Sequence, residues 1–314
     1  MSPLSLSVLD SSTVALNLRI DAETAALHKE FGRAGIPCVL LKGPVIERWL
    51  YVGENRAYGD IDLLVQGSRY DEAVAVLEAV GYQEQALDPV ERGGHARTFN
   101  PAPRRISQVD LHSSFHGVGD AERLWRECST SETIRLFGEH VEVPPPSTRA
   151  VMLALHAGAH GPAKPRPLED LSRALMRLTE DEWLLAFDVA DRVRASDLFL
   201  AGLQITAPGA ALCARVTSAS VGDRRALISS RGDTSIADGL CRVIEAPTMR
   251  SRARLLAREI YPTRAFMELW SSRTSRHRGG VILARWLRLA SIAAKMPEAL
   301  RVLRRVSAEA RRAG

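Results

Sequence analysis

The chain has 314 residues, of which 46% are hydrophobic and 25% charged, and its four cysteines lie far apart. This composition indicates a folded protein of roughly two domains, and it excludes a disulfide framework, a zinc ribbon and a membrane-spanning run of ~18 apolar residues. The first residues lack the basic region and small-residue cleavage site of an export signal, so we expect a cytoplasmic protein with reduced, mostly buried cysteines.

The formal net charge of +5 is distributed unevenly along the chain. Residues 250–314 carry 16 Arg or Lys and four Glu, a net charge of +12, so the first 249 residues carry −7. Three interpretations of the basic segment remain open. It could bind RNA or another polyanion, it could lie on an anionic membrane through the run VILARWLRLASIAAKM, or it could pack on the acidic body.

The N-terminal half alternates between helical and strand patterns. Apolar residues at helical spacing predict a helix over residues 21–34, which Gly35 ends, and a later helix over residues 70–80 is followed by Gly81. Short apolar runs predict buried strands. In chain order the predicted elements are the helix 21–34, the strand IPCVLLKG, the helix PVIERWLY, the strand DIDLLV, the helix 70–80, and the strands RTFN and ISQVDLHSSF.

Three consecutive prolines, Pro144 to Pro146, belong neither to a helix interior nor to a central strand, so we place a domain boundary there. The pattern beyond them is helical throughout. The predicted fold is therefore α+β: a mixed β-sheet with flanking helices, followed by an all-α region. The predicted divisions are a domain over residues 1–145, a helical domain over 146–248 and a basic helical segment over 249–314.

The strand DIDLLV carries two carboxylates on one face. Asp60 and Asp62 are two residues apart, and side chains at that spacing point the same way from a strand. Two such charges ~4 Å apart repel by ~4 kcal/mol at an effective dielectric of about 20, which a divalent cation would offset. Asp110, between two apolar residues in the later strand, is the predicted third ligand, with Gln108 and His112 on the same face.

A predicted anion site lies upstream. Gly43 stands at a strand-to-helix turn, where free backbone N–H groups favour a phosphate, and Lys42 adds a positive charge. Arg56 could place its guanidinium fork on a phosphate or pair with Glu54 or Asp60, and Gly59 would let the backbone pass close to a ligand. Together these residues suit a nucleoside triphosphate.

The run LLKGPVIERWLYVGENRAYGDIDLLV resembles the strand, turn, helix and DxD strand of the polymerase-beta-type nucleotidyltransferase superfamily. Within it, the chain is most similar to an uncharacterised bacterial family with the pattern LKG, Arg and GDIDLLV, whose later motifs are VDLH, LALHAGAHG, LEDLSRAL and YPTRAF. The resemblance implies a nucleotidyltransferase fold and two Mg²⁺ ions (or Mn²⁺) on Asp60, Asp62 and Asp110. It also implies transfer of a nucleoside monophosphate from an NTP, with ATP expected, to an acceptor hydroxyl and release of pyrophosphate.

The chain departs from the superfamily at one position. Members usually have Gly-Ser at the turn where this chain has Lys42 and Gly43, so a serine contact to the triphosphate is missing. Two functions follow: an active nucleotidyltransferase whose acceptor is a small molecule, a peptide or protein, or an RNA, and a catalytically impaired module that binds a nucleotide or a partner.

Four histidines and one aspartate are candidates for lining the cleft: His95, His112, His156, His160 and Asp170. His156 and His160 are four apart on a predicted helix, which places them on one face. The sequence lacks the glutamate of HExxH, so zinc binding is weakly indicated. We expect the pair to pack between the domains, with Asp170 as a hydrogen-bond partner. A phosphohydrolase built on these three residues is a third alternative.

Overall fold

The computed structural model describes residues 11–85, 94–101, 103, 105–129, 132–232, 235–271 and 280–313. They form two compact units, each discontinuous in sequence, and two of the divisions fall within helices. Of the described residues, unit 1 comprises those in 11–85, 94–153 and 169–195, and unit 2 comprises those in 154–168 and 196–313. The predicted α+β class is confirmed.

Unit 1 holds the strands of the described chain. Its elements, with helices that cross into unit 2 included, are α1 (Ser11–Arg33), β1 (Cys38–Leu40), α2 (Pro44–Leu50), β2 (Asp60–Val65), α3 (Tyr70–Ala79), β3 (Gln83–Glu84), β4 (Ala96–Asn100), β5 (Gln108–His112), α4 (Ala121–Cys128), β6 (Glu132–Leu136), β7 (Glu139–Val143), α5 (Pro146–His160), α6 (Pro165–Arg177) and α7 (Glu180–Arg192).

Five strands form a mixed sheet in the order β1-β2-β5-β4-β3. The central pair, β2 and β5, is parallel, and the other neighbours are antiparallel. In β2 every residue after Asp60 is buried. A strand covered on both faces is expected to read as a continuous apolar run, which explains why DIDLLV was recognisable. Ile61, Leu63, Val109 and Leu111 lie in the core beneath the sheet.

Helices α1 and α3 end shortly before the two glycines that were predicted to terminate them. Gly35 and Gly81 have φ angles of 65° and 94°, a left-handed conformation that only glycine adopts without steric cost. Helix α1 starts ten residues before the predicted start, at Ser11, because Asn17 and Ile20 continue its buried face. Residues 1–10 and the NPAPRR positions 102 and 104 lie outside the described residues.

Three elements of unit 1 were missed by the sequence patterns: β3, α4 and the hairpin of β6 and β7. The hairpin turns at Phe137 and Gly138, whose φ angles of 44° and 90° have the signs of a type I′ turn. Asp120 caps α4 by accepting a hydrogen bond from the Arg123 N–H.

Unit 2 is helical in the part of the chain that is described. Its own helices are α8 (Ser196–Leu203), α9 (Ala207–Val216), α10 (Arg224–Ser229), α11 (Ser235–Glu245), α12 (Met249–Ile260), α13 (Arg264–Trp270) and α14 (Gly280–Ala313). No helix among the described residues is both long and apolar enough to cross a bilayer. All four cysteines are free and buried, as expected.

Helices α5 and α8 approach each other at glycines. A Cβ atom added at Gly202 would lie 1.9 Å from the Ala154 carbonyl oxygen, and one at Gly158 would lie 2.8 Å from the Leu198 carbonyl oxygen. Since both obstacles are backbone atoms, neither can move aside as a side-chain end would. The crossing of the two helices therefore requires glycine.

We predict opposite effects for two Gly-to-Ala substitutions in unit 2. Gly202→Ala forces α5 and α8 apart and should lower the free energy of unfolding by about 1–3 kcal/mol, the usual cost of overpacking. Gly239→Ala, at a position in α11 where an added Cβ meets nothing within 4 Å, should raise it by roughly 0.5–1 kcal/mol. Urea denaturation measures both. If Gly202→Ala and Gly239→Ala changed the free energy of unfolding equally, the close crossing of α5 and α8 would not require glycine.

Candidate active site

The register of β2 and β5 brings the predicted acidic residues together. Asp62 pairs with Asp110, Asp60 with Gln108, and Leu64 with His112. Paired residues of parallel strands project to the same face, so Asp62, Asp110 and His112 share one side of the sheet. Their ligand atoms all lie within 4.8 Å of one another, and they form a group able to hold a metal ion.

Asp62 is the most enclosed of the three carboxylates. Its side chain is 2% exposed, and Oδ1 accepts hydrogen bonds from Lys42 Nζ at 2.7 Å and from His112 Nε2 at 3.0 Å. Burial alone would raise the pKa of this carboxyl group. The Lys42 charge and the His112 hydrogen bond outweigh that effect and hold the pKa well below its usual range, so Asp62 is ionised.

Lys42 lies among the acidic side chains. Its own side chain is 18% exposed, and burial alone would lower the pKa of the ammonium group. The negative charges of Asp62, Asp60 and Asp110 more than compensate and raise that pKa, so Lys42 is positively charged. The ammonium therefore acts as a cation bound to the acidic cluster.

Asp110 and Asp60 occupy different environments. Thr98, opposite Asp110 on β4, donates its hydroxyl to Asp110 Oδ1 at 2.6 Å, which fixes the orientation of the carboxylate. Asp60 begins β2 at an exposed position and is not part of the metal-capable group that the described residues form. Desolvation by the surrounding protein and the charge of Asp62 raise the pKa of Asp60.

The turn between β1 and α2 lies over Tyr58. Gly43 has a φ angle of 61°, and a Cβ added there would touch the Tyr58 ring at 3.4 Å. The Tyr58 hydroxyl donates to Asp21 on α1 at 2.6 Å, so the ring that supports the turn is itself held in place. At Gly59 an added Cβ meets open space, so packing within the protein does not require a glycine there.

Arg56 has a partner other than the two considered from sequence. Its guanidinium donates to both oxygens of Asp170 at 2.8 and 2.6 Å, and Tyr51 donates to the same carboxylate at 2.7 Å. The Arg56 carbonyl accepts a hydrogen bond from Asn17 at 3.0 Å. These contacts, all within unit 1, anchor the loop between α2 and β2. The Nε and Nη2 donors of Arg56 are thereby committed to Asp170.

A group of aromatic rings borders the carboxylates. The ring centroids of His95 and His116 are 3.8 Å apart, and those of His95 and His112 are 5.6 Å apart. The Phe115 ring lies 5.8 Å from His112 and 5.5 Å from Lys42 Nζ. Among described residues, nothing hydrogen-bonds the buried His112 Nδ1. Sequence reasoning missed His116 and Phe115, although both closely follow VDLH.

His156 and His160 belong to unit 2, where their ring centroids on α5 are 4.7 Å apart. Asp170 belongs to unit 1 and accepts hydrogen bonds from Arg56 and Tyr51. The metal-capable group found in the described ranges is the one around Asp62, and it includes none of these three residues. The phosphohydrolase hypothesis therefore lacks a metal centre in the part of the chain that is described.

The donor set of the cluster fits a divalent cation. Carboxylate oxygens are the ligands that Mg²⁺ and Mn²⁺ prefer, and an imidazole nitrogen beside them is compatible with Mn²⁺. A cationic group, Lys42 Nζ, already lies at hydrogen-bond distance from Asp62 Oδ1. The cluster therefore attracts positive charge at the place where the sequence predicts a metal ion.

The family model described as "uncharacterised nucleotidyltransferase" matches residues 8–208, and the chain belongs to this family. It is accordingly an enzyme of the nucleotidyltransferase class. No curated protein gives a significant match to the sequence.

Several solved structures are similar to parts of the chain. A crystal structure of ANT(2″)-Ia in complex with adenylyl-2″-tobramycin has a TM-score of 0.41 and 16% identity, covering 55% of this chain and 98% of that chain. An antigenic nucleotidyltransferase-like protein from Paracoccidioides brasiliensis has a TM-score of 0.37 and 13% identity, covering 60% and 94%. The Thermotoga maritima CCA-adding enzyme complexed with tRNA has a TM-score of 0.26 and 12% identity, covering 92% and 76%.

We predict that Lys42→Met destabilises the protein because it leaves the buried Asp62 charge without its counter-ion. The expected loss is about 3 kcal/mol in the free energy of unfolding, the low end for breaking a buried ion pair, since His112 still donates to Asp62. Urea denaturation in EDTA measures it. Mg²⁺ should raise the melting temperature of the variant more than that of the wild type, because the metal then supplies the missing charge.

Lys29→Met is the matched control. Lys29 is 52% exposed and pairs with Glu139 at 3.4 Å on the surface, so its loss should cost no more than about 0.5 kcal/mol. In Lys42→Met/Asp62→Asn, where both charges are gone, much of the lost stability should return. A Lys42→Met protein as stable as Lys29→Met would contradict the assignment of Lys42 as the counter-ion.

Proposed function

We propose that the protein transfers a nucleoside monophosphate from an NTP, with ATP as the expected donor, to an acceptor hydroxyl and releases pyrophosphate. The observation that carries this proposal is the convergence of Asp62 and Asp110 on paired strands, with Lys42 bound to Asp62 and the β1–α2 turn adjacent in sequence. Asp60, Asp62 and Asp110 would hold Mg²⁺, or Mn²⁺ in its place. When bound, the cation supplies charge neutralisation at the phosphates and lowers the pKa of the acceptor hydroxyl.

The donor triphosphate is assigned to the turn that begins at Lys42. The ammonium leaves Asp62 and pairs with phosphate oxygens, taking the electrostatic role of the serine found in other superfamily members. The predicted backbone anion site is weaker than the sequence suggested, because Pro44 has no N–H, Val45 N–H donates to the Lys42 carbonyl at 3.3 Å and Glu47 N–H donates to the Gly43 carbonyl at 3.1 Å. The charge of Lys42 therefore carries the proposed triphosphate contact. Gly59 supports this assignment, because no protein atom lies within 4 Å of the place where a Cβ would be and a phosphate could approach the backbone there.

Arg56 takes a positioning role in this proposal. Its two hydrogen bonds to Asp170 and the Asn17 contact to its carbonyl hold the loop that leads to Gly59 and Asp60. A phosphate contact through the Nε and Nη2 edge of Arg56 would require breaking its buried bidentate ion pair with Asp170, at a cost of several kcal/mol.

Asp110 is the residue proposed to receive the proton. Thr98 occupies its Oδ1, and among the described residues its Oδ2 accepts no hydrogen bond. The acceptor oxygen attacks the α-phosphorus, the bond to the bridging oxygen of the β-phosphate breaks, and pyrophosphate leaves with that electron pair. The hydroxyl proton passes to Asp110, while Lys42 stabilises the charge that develops on pyrophosphate.

A second function has one specific observation in its favour. Lys42 replaces the serine of the superfamily and its ammonium is bound to Asp62 in the cluster that would hold the metal. A protein that keeps this ion pair would bind a nucleotide or a partner without turnover. Calorimetry with a non-hydrolysable NTP and a pyrophosphate assay separate the two functions, since both bind but only the enzyme releases pyrophosphate.

The acceptor also remains a proposal, and we consider a small molecule, a peptide or protein, and RNA. Mass spectrometry of a lysate incubated with isotopically labelled ATP would detect the modified acceptor directly. RNase treatment of the lysate beforehand distinguishes an RNA acceptor from the other two.

We predict that Asp62→Asn lowers pyrophosphate release by about 10²–10³-fold, the usual effect of removing a group that stabilises transition-state charge. Asp110→Asn should be similar, and the exposed Asp60→Asn should also reduce release. The assay tests each NTP with Mg²⁺ and with Mn²⁺. Asp71→Asn, at a fully exposed carboxylate on α3, is the control and should leave the rate unchanged. Undiminished release by folded Asp62→Asn would refute the proposal.

A further inference from the structure

The outer face of helix α14 is apolar over its first five turns. Between residues 282 and 300 the exposed large side chains are Ile282 at 62%, Leu283 at 54%, Trp286 at 67%, Leu287 at 48% and Leu300 at 40%. At 100° per residue these positions fall within one side of the helix, together with the exposed alanines at 290, 293 and 294. Over 18 residues at 1.5 Å each, the apolar strip is about 27 Å long.

Three of the four charged residues of the same stretch point elsewhere, and the fourth, Glu298, is exposed at the edge of the strip, about 120° around the helix from Trp286. Arg285 donates to the Pro262 carbonyl at 2.9 Å and stacks on the Tyr261 ring at 3.9 Å. Arg288, whose side chain is 13% exposed, pairs with Glu259 at 2.6 Å. Lys295 is exposed but lies about 180° around the helix from Trp286. A surface helix usually exposes polar residues, whereas the most exposed large side chains of this stretch are apolar.

The second half of α14 is basic on its surface. Pro297 lies inside the helix, and exposed arginines follow it at positions 301, 304, 305, 311 and 312. Between residues 280 and 297 the helix contains no acidic residue. The helix therefore presents an apolar strip followed by a cluster of positive charge.

This charge pattern distinguishes between the surfaces that could cover the strip. In a second copy packed in parallel, the two arginine clusters would lie side by side and repel. An antiparallel copy could align the two strips, but it would supply no anionic partner for the arginine clusters, because Glu298 and Glu309 are the only acidic residues in the sequence of α14. An anionic lipid surface satisfies both halves, because acyl chains accept the apolar strip and headgroups pair with the arginines.

We propose that α14 is an interfacial helix by which the protein docks on an anionic membrane. Ile282, Leu283, Trp286 and Leu287 enter the boundary between headgroups and acyl chains, where the indole of a tryptophan is favoured. The arginines beyond Pro297 bind lipid phosphates. The helix lies in the plane of the membrane and does not cross it. This inference is independent of the proposed transfer reaction.

Co-sedimentation of the full-length protein with vesicles tests the proposal. The protein should bind vesicles that contain phosphatidylglycerol and bind pure phosphatidylcholine vesicles much more weakly. Trp286→Asp/Leu287→Asp should lower the partition coefficient by at least about tenfold, because burial of even one such side chain contributes 1.5 kcal/mol or more. Arg301→Glu/Arg304→Glu should abolish the preference for anionic vesicles.

Leu184→Asp/Leu185→Asp is the matched control, because these leucines on α7 are 46% and 59% exposed and are not part of the strip. This variant should bind like the wild type. Quenching by bromine-labelled lipid provides a second measurement that does not depend on a charged substitution. Trp286 fluorescence should be quenched in the wild type, and the quenching should fall in the conservative variant Trp286→Phe.

Three outcomes would overturn the proposal. The first is equal affinity for neutral and anionic vesicles, or no affinity for either. The second is vesicle binding that the Trp286→Asp/Leu287→Asp change leaves intact, which would assign the contact to charge alone. The third is a dimer in solution that the same change dissociates while vesicles are not bound, which would assign the strip to a second copy of the chain.

Discussion

The cost of placing ionised carboxylates side by side on buried strands governs the structure of unit 1. The parallel register of β2 and β5 leaves no alternative position for Asp62 and Asp110, because shifting either strand by one residue would turn the core residues Ile61 and Val109 to the other face. The hydrophobic core therefore enforces an electrostatically unfavourable arrangement. Lys42 and His112 compensate for it by donating to the same oxygen of Asp62.

The neighbouring contacts extend this constraint into the rest of unit 1. Lys42 lies beside Asp62 because β1 pairs with β2 and the Leu41 N–H donates to the Asp62 carbonyl at 3.0 Å. The turn that follows at Gly43 packs on the ring of Tyr58, which Asp21 holds from α1. On the other side, Asp170 fixes Arg56 and thereby the loop that leads into β2. A buried ion pair contributes little net stability because of its desolvation cost. We therefore interpret these pairs as devices that hold the loop and the turn in one position.

The sequence predicted the elements around the site better than the contacts within it. DIDLLV is recognisable because a buried central strand is nearly continuous in apolar residues, and QVDLH because polar and apolar residues alternate along it. Gly81 marks the end of α3 because the chain needs a positive φ there. The hairpin of β6 and β7 was missed because β6 has only one buried residue and β7 only two. The partnership of Arg56 with Asp170 joins residues 114 positions apart, and no local pattern encodes such a distance.

Charge balance links the binding of the divalent cation to the binding of the triphosphate in the proposed reaction. Asp60, Asp62 and Asp110 together carry three negative charges when ionised, and Lys42 neutralises one of them, which leaves an excess of about two, the charge of a single divalent cation. A cation bound to Asp62 weakens the hold of this carboxylate on Lys42, since the two positive charges repel at short distance. The released ammonium then gains most by pairing with the triphosphate, the next anion within its reach. Metal and nucleotide binding are therefore expected to reinforce each other through a single lysine. A serine at this turn would not produce that coupling, because a neutral hydroxyl has no charge to exchange.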